Sequence, residues 1–201
     1  MKTNEKFKQA IKTYNKIAKI YAKYTEAKLM QFQLTRFESL LQGKKILDAG
    51  SGSGRDVAYF LEDDFDAVGI DISQGQIKEA KKRVPKGKFL KQDFRKTKFE
   101  DNSLDGIWCM EGFVHLPKTE IKKALKEFKR ILKEDGIIYL SLKRGKGTKI
   151  IKQEIYSNEP LPYYYYEQKE IESLANDLNF KIISSEENNV WVELFLQKIN
   201  Q

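Results

Sequence analysis

From Lys44 onward, the sequence alternates short apolar runs with amphipathic stretches of helical length, and this alternation constrains the fold more than any other feature. Strand, helix and strand in succession predict parallel pairing through right-handed crossovers. The last two apolar runs are close enough to pair as an antiparallel hairpin. We therefore predict an α/β protein with helices on both faces of a seven-stranded, mostly parallel sheet and an antiparallel C-terminal edge hairpin. The predicted strands are 45–50, 66–73, 87–94, 103–110, 136–143, 180–188 and 189–199, and the predicted helices among them are 54–63, 73–84, 118–134 and 163–180.

The N-terminal residues have a different character. Residues 5–41 contain no proline or glycine, and their apolar side chains recur at spacings of three and four, which places them on one helical face. Gly43 suits the position just past a helix end. We predict one or two amphipathic helices that form a cap of residues 1–42, without being an independent domain, followed by a single domain of residues 43–201.

The net charge of +8 is concentrated in this N-terminal arm. Residues 1–45 hold 11 of the 37 basic and 3 of the 29 acidic residues, so the remainder of the chain is balanced. Only six basic residues are arginine, which is favoured for bidentate contacts with phosphate and guanine. The pattern favours a solvated lysine-rich face over RNA or membrane binding.

The composition disfavours several classes of protein. Cys109 is the only cysteine, which excludes an internal disulfide or a multi-thiolate metal site and suits a reducing compartment. Its place in the fourth predicted strand favours a buried, unreactive thiol. The chain shows no signal-peptide pattern and no apolar run near the ~20 residues of a membrane span. We expect a soluble cytoplasmic protein that binds no metal.

Three glycines alternate in the turn after the first predicted strand, in the stretch KKILDAGSGSGRD. Ligands of open parallel sheets bind outside the carboxyl ends of the strands, where the strand order reverses. Gly50, Gly52 and Gly54 would let the backbone turn sharply and approach such a ligand. Tight local turns also use glycine, so the neighbouring residues must decide.

Two aspartates indicate which ligand the turn would hold. Asp71 ends the second predicted strand, 21 residues after Gly50, where a carboxylate can accept hydrogen bonds from ribose hydroxyls. Asp48 would repel a pyrophosphate and suits a ligand with an ammonium group. The dinucleotide pattern would place its third glycine at position 55, where this chain has Arg55. A nicotinamide or flavin dinucleotide is therefore disfavoured.

Four segments, ILDAGSGSGRD, VGIDIS, KQDF and FEDNSLDGIWCMEGFVHL, occur in this order at the ends of the first four predicted strands. In order and spacing they resemble the motifs of the class I S-adenosylmethionine-dependent methyltransferases. The following ALKEFKRILKEDGIIYLSL is similar to the family's next helix and strand, although residues 133–136 lack the usual proline–glycine turn. The resemblance spans about residues 44–199. It implies a Rossmann-like three-layer sandwich, S-adenosylmethionine as cofactor and S-adenosylhomocysteine as product.

The resemblance also implies which residues bind the cofactor. Asp48, Gly50 and Gly52 would line its methionine part, and Asp71 would hold its ribose hydroxyls. The full set of implied cofactor-binding residues is Tyr14, Tyr21, Asp48, Gly50, Ser51, Gly52, Arg55, Asp71, Ile72, Asp93, Phe94 and Met110.

The remaining assignments concern the two ends of the cofactor. Ile72 would pack on the adenine, Asp93 would bond its amino group, and Phe94 would flank it. In many relatives a tyrosine of the N-terminal helix closes over the amino acid end. Tyr14 and Tyr21, seven residues apart on the apolar helical face, are the candidates here.

Proton transfer would fall to residues after the fourth strand. Met110 and Glu111 would complete the wall near the sulfonium, and the candidate general bases are Glu111, His115 or a loop tyrosine. An oxygen or nitrogen acceptor bearing a proton needs such a base, whereas a thiolate or carboxylate acceptor does not. His115 has alternative roles in orientation, packing or hydrogen bonding at a helix start.

Two later segments bear on the acceptor. Of the four tyrosines at 163–166, one or two are expected to line the acceptor pocket. The basic stretch 143–149 is expected to be a mobile loop, equally consistent with an anionic acceptor and with a purely solvated loop. Trp191 is expected in the core of the terminal hairpin.

Three functions follow from these features, in order of preference. The first is methylation of a small-molecule acceptor, because the fourth strand ends in CMEG and lacks the Asn-Pro-Pro-Tyr type tetrad of many nucleic-acid methylases. The second is methylation of an RNA or a protein guided by the basic arm. The third is regulation by binding S-adenosylmethionine without catalysis. The acceptor and the oligomeric state are not predicted.

Overall fold

A computed structural model describes residues 2–28 and 30–199 of the chain. Its helices are α1 (Lys2–Thr25), α2 (Gln31–Leu40), α3 (Arg55–Glu62), α4 (Gln74–Arg83), α5 (Lys118–Ile131) and α6 (Gln168–Asp177). Its strands are β1 (Lys45–Ala49), β2 (Asp66–Asp71), β3 (Lys88–Lys91), β4 (Leu104–Met110), β5 (Leu132–Lys143), β6 (Thr148–Ile151), β7 (Leu161–Tyr164), β8 (Phe180–Glu187) and β9 (Trp191–Lys198). Short 3₁₀ turns cover Gly112–His115 and Glu154–Tyr156.

Seven strands form one sheet in the order β3–β2–β1–β4–β5–β9–β8. Strands β1 to β5 are parallel, whereas β9 is antiparallel to both β5 and β8. This confirms the predicted mostly parallel sheet with its antiparallel C-terminal hairpin. Because β1 pairs with both β2 and β4, the strand order reverses beside it, and its carboxyl end is where a ligand crevice is expected.

The central strands are apolar on both faces because helices cover both sides of the sheet. Ile46 and Leu47 of β1 point to opposite sides, and each is fully buried. Leu47 belongs to a core cluster with Phe128 of α5, whereas Ile46 packs in a second cluster with Phe37 of α2 and Phe60 of α3. This two-sided burial explains the near-continuous apolar runs that the sequence shows.

Before β1 the chain forms the helices α1 and α2, of which α1 packs on the start of α4. The Asn15 side-chain oxygen accepts hydrogen bonds from the Ser73 hydroxyl (2.9 Å) and from the backbone N–H of Gly75 (2.8 Å). Ile17 of α1 joins a small cluster with Tyr156. These contacts hold α1 beside the carboxyl end of β2.

The segment between β5 and α6 differs from the sequence prediction. The helix predicted from residue 163 begins only at Gln168, where Glu167 and Glu170 form a capping box. Residues 161–164 instead form β7, which pairs antiparallel with β6. The prediction was wrong because consecutive tyrosines favour a strand, and helical periodicity begins only after them.

The basic stretch 143–149 was predicted to be a loop after β5, but both of its ends lie in strands. Lys143 is the last residue of β5, and Lys149 lies within β6. Arg144 forms an ion pair with Glu187 at 3.1 Å. The basic residues therefore occupy strands and their junction, and they face different parts of the molecule.

Among residues 2–28 and 30–199, no helix combines the length and the apolar character that crossing a membrane requires.

Candidate active site

A cleft lies at the carboxyl ends of the central strands and consists of two adjoining cavities. The inner cavity is the apolar one, whereas the outer cavity, of about 390 Å³, extends towards β5 and β9. Six residues line both cavities, namely Tyr14, Tyr21, Gly50, Gly52, Met110 and Glu111. Gly50 directly follows β1, and β4 ends at Met110. The cleft therefore lies at the carboxyl ends of these two strands, where the ligand crevice was predicted.

The glycine turn uses backbone conformations that other residues rarely adopt. Gly50 and Gly54 have φ angles of +89° and +85°. A side chain at position 54 would also lie 2.6 Å from the Phe89 ring. The N–H groups of Gly50 and Ser51 both donate to the Ile70 carbonyl at 2.9 Å, which ties the turn to β2. The turn is therefore built rigidly against the neighbouring strand.

Asp71 holds the other side of the turn and faces the inner cavity. Its carboxylate accepts hydrogen bonds from the N–H groups of Gly52 (3.0 Å) and Ser73 (2.7 Å), one on each oxygen. Each oxygen has a second lone pair for a further donor. Desolvation raises the pKa of Asp71 to about 6, although the backbone N–H groups of Ser73, Gly52 and Ile72 oppose this shift.

Asp48 lies at the end of β1 but does not line either cavity. It is 3% exposed, and its Oδ2 atom has no hydrogen-bond partner among the described residues. Burial raises the pKa of Asp48 well above its ordinary value, and the neighbouring Asp56 contributes to the shift. The structure thus places this residue behind the turn, whereas the sequence analysis expected it in the lining.

Ile72, Asp93 and Phe94 line the inner cavity. Asp93, however, is engaged by a neighbour, because Arg95 makes a two-pronged contact with its carboxylate at 2.6–3.0 Å. Arg95 also donates to Glu120 at 2.7 Å. An adenine amino group would therefore share the Asp93 carboxylate with Arg95.

Arg55 lines the outer cavity through a buried polar network. Its guanidinium donates two hydrogen bonds to the Asp56 carboxylate, at 2.7 and 2.8 Å. Asp56 also accepts one from the indole N–H of Trp108 at 3.0 Å. Arg55 further contacts the Met110 sulfur at 3.1 Å. The network fixes Arg55 and Met110 on one wall of the cleft.

His115 is joined to α1 and to β7. Its Nδ1 lies 2.7 Å from the Pro162 carbonyl oxygen, which can only accept, so Nδ1 carries the proton. The Nε2 atom is then an acceptor, and the Tyr14 hydroxyl donates to it at 2.8 Å. Desolvation lowers the pKa of His115 to about 4. The basic nitrogen of His115 is thus occupied by Tyr14.

This geometry makes a spectroscopic prediction, helped by the presence of a single histidine in the chain. We expect nitrogen-15 NMR to show His115 as the neutral, Nδ1-protonated tautomer down to about pH 5, with titration near 4. In Tyr14→Phe the hydroxyl donor that favours the neutral ring is lost, so the pKa of His115 should rise. A histidine titrating at its ordinary value in the parent protein would contradict this arrangement.

Glu111 occupies the junction of the two cavities. Its backbone has a left-handed conformation (φ 56°, ψ 10°), which is uncommon for a residue with a side chain and is frequent at functional sites. Its N–H donates to the Ser141 hydroxyl at 3.0 Å. Desolvation raises the pKa of Glu111, and the nearby cations Lys143, Arg55 and Lys28 limit the rise.

Aromatic side chains form much of the outer wall. The Tyr14 ring contacts the Tyr21 ring edge-on at 5.3 Å between centroids, and Tyr21 lies 6.0 Å from Tyr156. Tyr163 lies 4.7 Å from the His115 ring. Of the tyrosines at 163–166, Tyr163 is the one that lines a cavity.

Gln76 was missed by the sequence analysis. It is 1% exposed and lines the inner cavity, and neither its oxygen nor its nitrogen has a partner among the described residues. Nothing in the sequence indicated this, because a glutamine in the first turn of a helix is ordinarily solvated. Its burial depends on α1 packing against α4.

Cys109, the single cysteine of the sequence, lies in β4. Cys109 is buried, and desolvation raises the pKa of its thiol, which leaves it protonated and unreactive. Across residues 2–28 and 30–199, no three histidine, cysteine or acidic side chains are grouped so that they could hold a metal ion.

Comparison with known proteins identifies the family. A profile of methyltransferase domains matches residues 46–136. The ubiquinone/menaquinone biosynthesis C-methyltransferase of Campylobacter jejuni is 30% identical over 170 residues, which cover 79% of this chain and 72% of that protein. This chain belongs to the class I S-adenosylmethionine-dependent methyltransferases.

Other members show the same fold and set the extent of the similarity. A methyltransferase structure from Methanosarcina mazei superposes with a TM-score of 0.74 at 20% identity, covering 83% of this chain and 98% of that one. The sterol 24-C-methyltransferase of Aspergillus fumigatus is 34% identical over 105 residues, which cover 48% of this chain and 27% of that protein. The chain spans well under half the length of several curated methyltransferases that it matches.

The described residues fit the cofactor of this methyltransferase family. The unpartnered Asp48 oxygen suits an ammonium group, and the free lone pairs of Asp71 suit two hydroxyls. The unpartnered amide of Gln76 offers a donor and an acceptor in the same inner cavity. Ile72 and Phe94 supply apolar surface for a base. These are the groups that a nucleoside carrying an amino acid requires.

Proposed function

We propose that this protein methylates a small-molecule acceptor with S-adenosylmethionine, which it binds in the inner cavity and at the junction. The observation that carries the proposal is the cleft itself, in which the inner and outer cavities share six lining residues. One cavity can hold the nucleoside while the other holds an acceptor. The names of the Campylobacter and Aspergillus relatives, a quinone and a sterol methyltransferase, support an acceptor of small-molecule size.

Four of the residues that the resemblance implies have defined roles in this proposal. When bound, S-adenosylmethionine supplies an electrophilic methyl group on a sulfonium. Asp71 would orient the ribose, and Asp48 would attract the ammonium group from behind the turn through its negative charge. The rings of Tyr14 and Tyr21 would exclude water and present electron-rich faces to positive charge. The protein would thus act mainly by positioning two reactants.

Glu111 is the proposed proton acceptor. It lies where the cavities meet, and its side chain makes no hydrogen bond among the described residues, so its carboxylate remains available to an acceptor hydroxyl or amine. His115 is proposed as a positioning residue, because its acceptor nitrogen is occupied by Tyr14 and its pKa of about 4 makes it a weak base. Its hydrogen bonds would hold Tyr14 in the cleft.

The proposal is tested by binding and turnover measured separately. Calorimetry should show one S-adenosylhomocysteine molecule bound per chain, and labelled S-adenosylmethionine should transfer its methyl group to at least one compound of a quinone, phenol and carboxylate panel. Failure to bind would remove the site assignment. Binding without transfer to any acceptor would instead favour the non-catalytic regulator.

Gln76 gives a prediction that depends on the inner cavity alone. We expect Gln76→Ala to weaken S-adenosylhomocysteine binding about 5- to 15-fold, the loss of one or two neutral hydrogen bonds. Gln74→Ala is the matched control, because Gln74 is exposed on the same helical turn. Equal affinities of the two variants in calorimetry would show that Gln76 does not contact the cofactor.

A further inference from the structure

The floor of the outer cavity is a patch of β5 and β9, in which only Ser141 belongs to a segment that resembles the family motifs. Ser141 and Lys143 of β5 pair directly with Glu193 and Trp191 of β9. Because alternate strand residues share a face, these four side chains lie together, and all four line the outer cavity. We call them the β5/β9 floor.

Lys143 is the positively charged residue of the β5/β9 floor. Its ammonium lies 3.2 Å from the centroid of the Trp191 ring, and the side chain is partly buried. Desolvation lowers the pKa of Lys143, the negative charge of Glu111 opposes this shift, and the positive charge of Lys28 adds to it. Within residues 2–28 and 30–199, no carboxylate lies within ion-pair distance of Lys143 or Lys28. Lys143 therefore carries its charge against an aromatic face, near the opposite charge of Glu111 and the like charge of Lys28.

The carboxylates of the outer cavity are mostly engaged elsewhere. Asp56 is bound to Arg55 and to the Trp108 indole. Glu193 accepts a hydrogen bond from the Tyr139 hydroxyl at 2.5 Å and further contacts from an amide. Glu111 is the third carboxylate of the outer cavity, and it lies near Lys143 and Lys28, which have no ion-pair partner among the described residues.

The walls above this floor are aromatic. Tyr156, Tyr163 and Trp191 line the outer cavity, and Tyr24 lies edge-on to Tyr156 at 5.8 Å. Lys28 sits over the Tyr24 ring at 3.4 Å. Flat rings offer large contact areas to a flat ligand, and cations above them attract a negative group at its edge.

The sheet topology separates this floor from the cofactor region. Strand β4 lies between β1 and β5, so Lys143 is two strands away from the glycine turn, about 10 Å at ordinary strand spacing. Lys143 also does not line the inner cavity. A carboxylate at the methionine end of the cofactor would lie nearer Arg55 than Lys143.

We propose that the methyl acceptor is a flat aromatic molecule carrying an acidic oxygen, and that Lys143 on the Trp191 ring binds that oxygen. The proposal rests on the proposed function, because it assigns the acceptor half of the same cleft. A bound sulfonium would add positive charge to the cleft, which further favours an anionic partner.

The test compares two probes of the same shape, 2-naphthoate and its uncharged amide 2-naphthamide. Calorimetry is performed on the full chain saturated with S-adenosylhomocysteine, whose own binding is measured first. We expect naphthoate to bind at least 10-fold more tightly than naphthamide. Lys143→Met should reduce this preference to below 3-fold, whereas Lys143→Arg should retain it.

Lys149→Met is the matched control, because Lys149 also lies over a tyrosine ring, at 5.5 Å from Tyr165, but outside both cavities. It should leave the preference unchanged. Equal binding of the two probes, no binding of naphthoate, or an unchanged preference in Lys143→Met would overturn the proposal. A 10-fold loss of S-adenosylhomocysteine affinity in Lys143→Met would also overturn it, since Lys143 would then serve the cofactor carboxylate. Failure of the parent protein to bind S-adenosylhomocysteine would instead count against the proposed function.

Discussion

Asp71→Ala is expected to weaken S-adenosylhomocysteine binding by about 30- to 700-fold. The two ribose hydroxyls would lose their charged acceptor, and each lost hydrogen bond would reduce the binding free energy by about 1–2 kcal/mol. The glycine turn would also lose the carboxylate that holds the N–H of Gly52. Calorimetry of the parent protein and the variant at pH 7.5 measures the difference. An affinity within threefold of the parent would mean that the ribose binds elsewhere.

Asp66→Ala serves as the control, because Asp66 is exposed at the opposite end of β2. The affinity and the melting temperature of this variant should match those of the parent. Asp71→Asn adds a second test, since it preserves the shape of the side chain and removes the charge. It should bind with intermediate affinity, while a merely structural role would leave binding unchanged.

The pKa of Asp71, raised to about 6, makes its contribution depend on pH. As the pH falls through 6, the carboxyl group gains a proton and loses acceptor capacity, so S-adenosylhomocysteine affinity should decline. The free energy of unfolding should instead increase as the pH falls, because the pKa of Asp71 is higher in the folded chain than in the unfolded chain. Burying the charged carboxylate destabilises the fold above pH 6, and protonation removes this cost. Asp71→Asn should flatten the affinity profile, and any remaining slope would report the other carboxyl groups of the cleft with a raised pKa, Asp48 and Glu111.

Trp108→Ala is expected to lower the free energy of unfolding by about 3–5 kcal/mol. Trp108 is fully buried, and its ring stacks on Tyr139 at 4.1 Å between centroids. It also packs edge-on against Phe37 and Phe60. Truncation would leave a cavity in the core and remove the indole donor from buried Asp56. Urea denaturation followed by circular dichroism measures the loss.

Phe32→Ala is the corresponding surface control, because Phe32 is 73% exposed and its loss should change stability by less than about 0.5 kcal/mol. Trp108→Phe separates packing from hydrogen bonding, since it retains most of the ring volume. We expect Trp108→Phe to lower the free energy of unfolding by about 1–3 kcal/mol, because the buried Asp56 carboxylate loses the hydrogen bond from the indole. A Trp108→Ala loss below 1 kcal/mol would show that the core closes around the missing ring.

The sheet and the cofactor half of the cleft were predictable because they rest on local patterns. The apolar runs of β1, β2 and β4 are buried on both faces, and they are short and bounded by turns, so periodicity and length suffice to find them. The positions of Gly50, Gly52 and Asp71 relative to these strands then follow from the chain itself. Their roles with the bound cofactor stay predictions.

The segment 144–167 was not predictable in the same way. The strands β6 and β7 have four residues each, and no residue of β6 is fully buried, so no continuous apolar run marks this strand. Consecutive tyrosines favour a strand, but this preference depends on packing partners that lie elsewhere in the chain. The burial of Gln76 and the pairing of Tyr14 with His115 likewise join residues far apart in the chain, which no local pattern indicates.

The strands of the main sheet, the sharp glycine turn and the carboxylate at the end of β2 were predictable, because they depend on neighbouring residues and on the topology that parallel strands impose. The chemical state of the cleft depends on the packing of the whole molecule. The proton position on His115, the unpartnered atoms of Gln76 and Asp48, and the charge of Lys143 against Trp191 depend on desolvation by distant segments. Desolvation is a property of the packed molecule, and it is what makes these ordinary residues candidates for function.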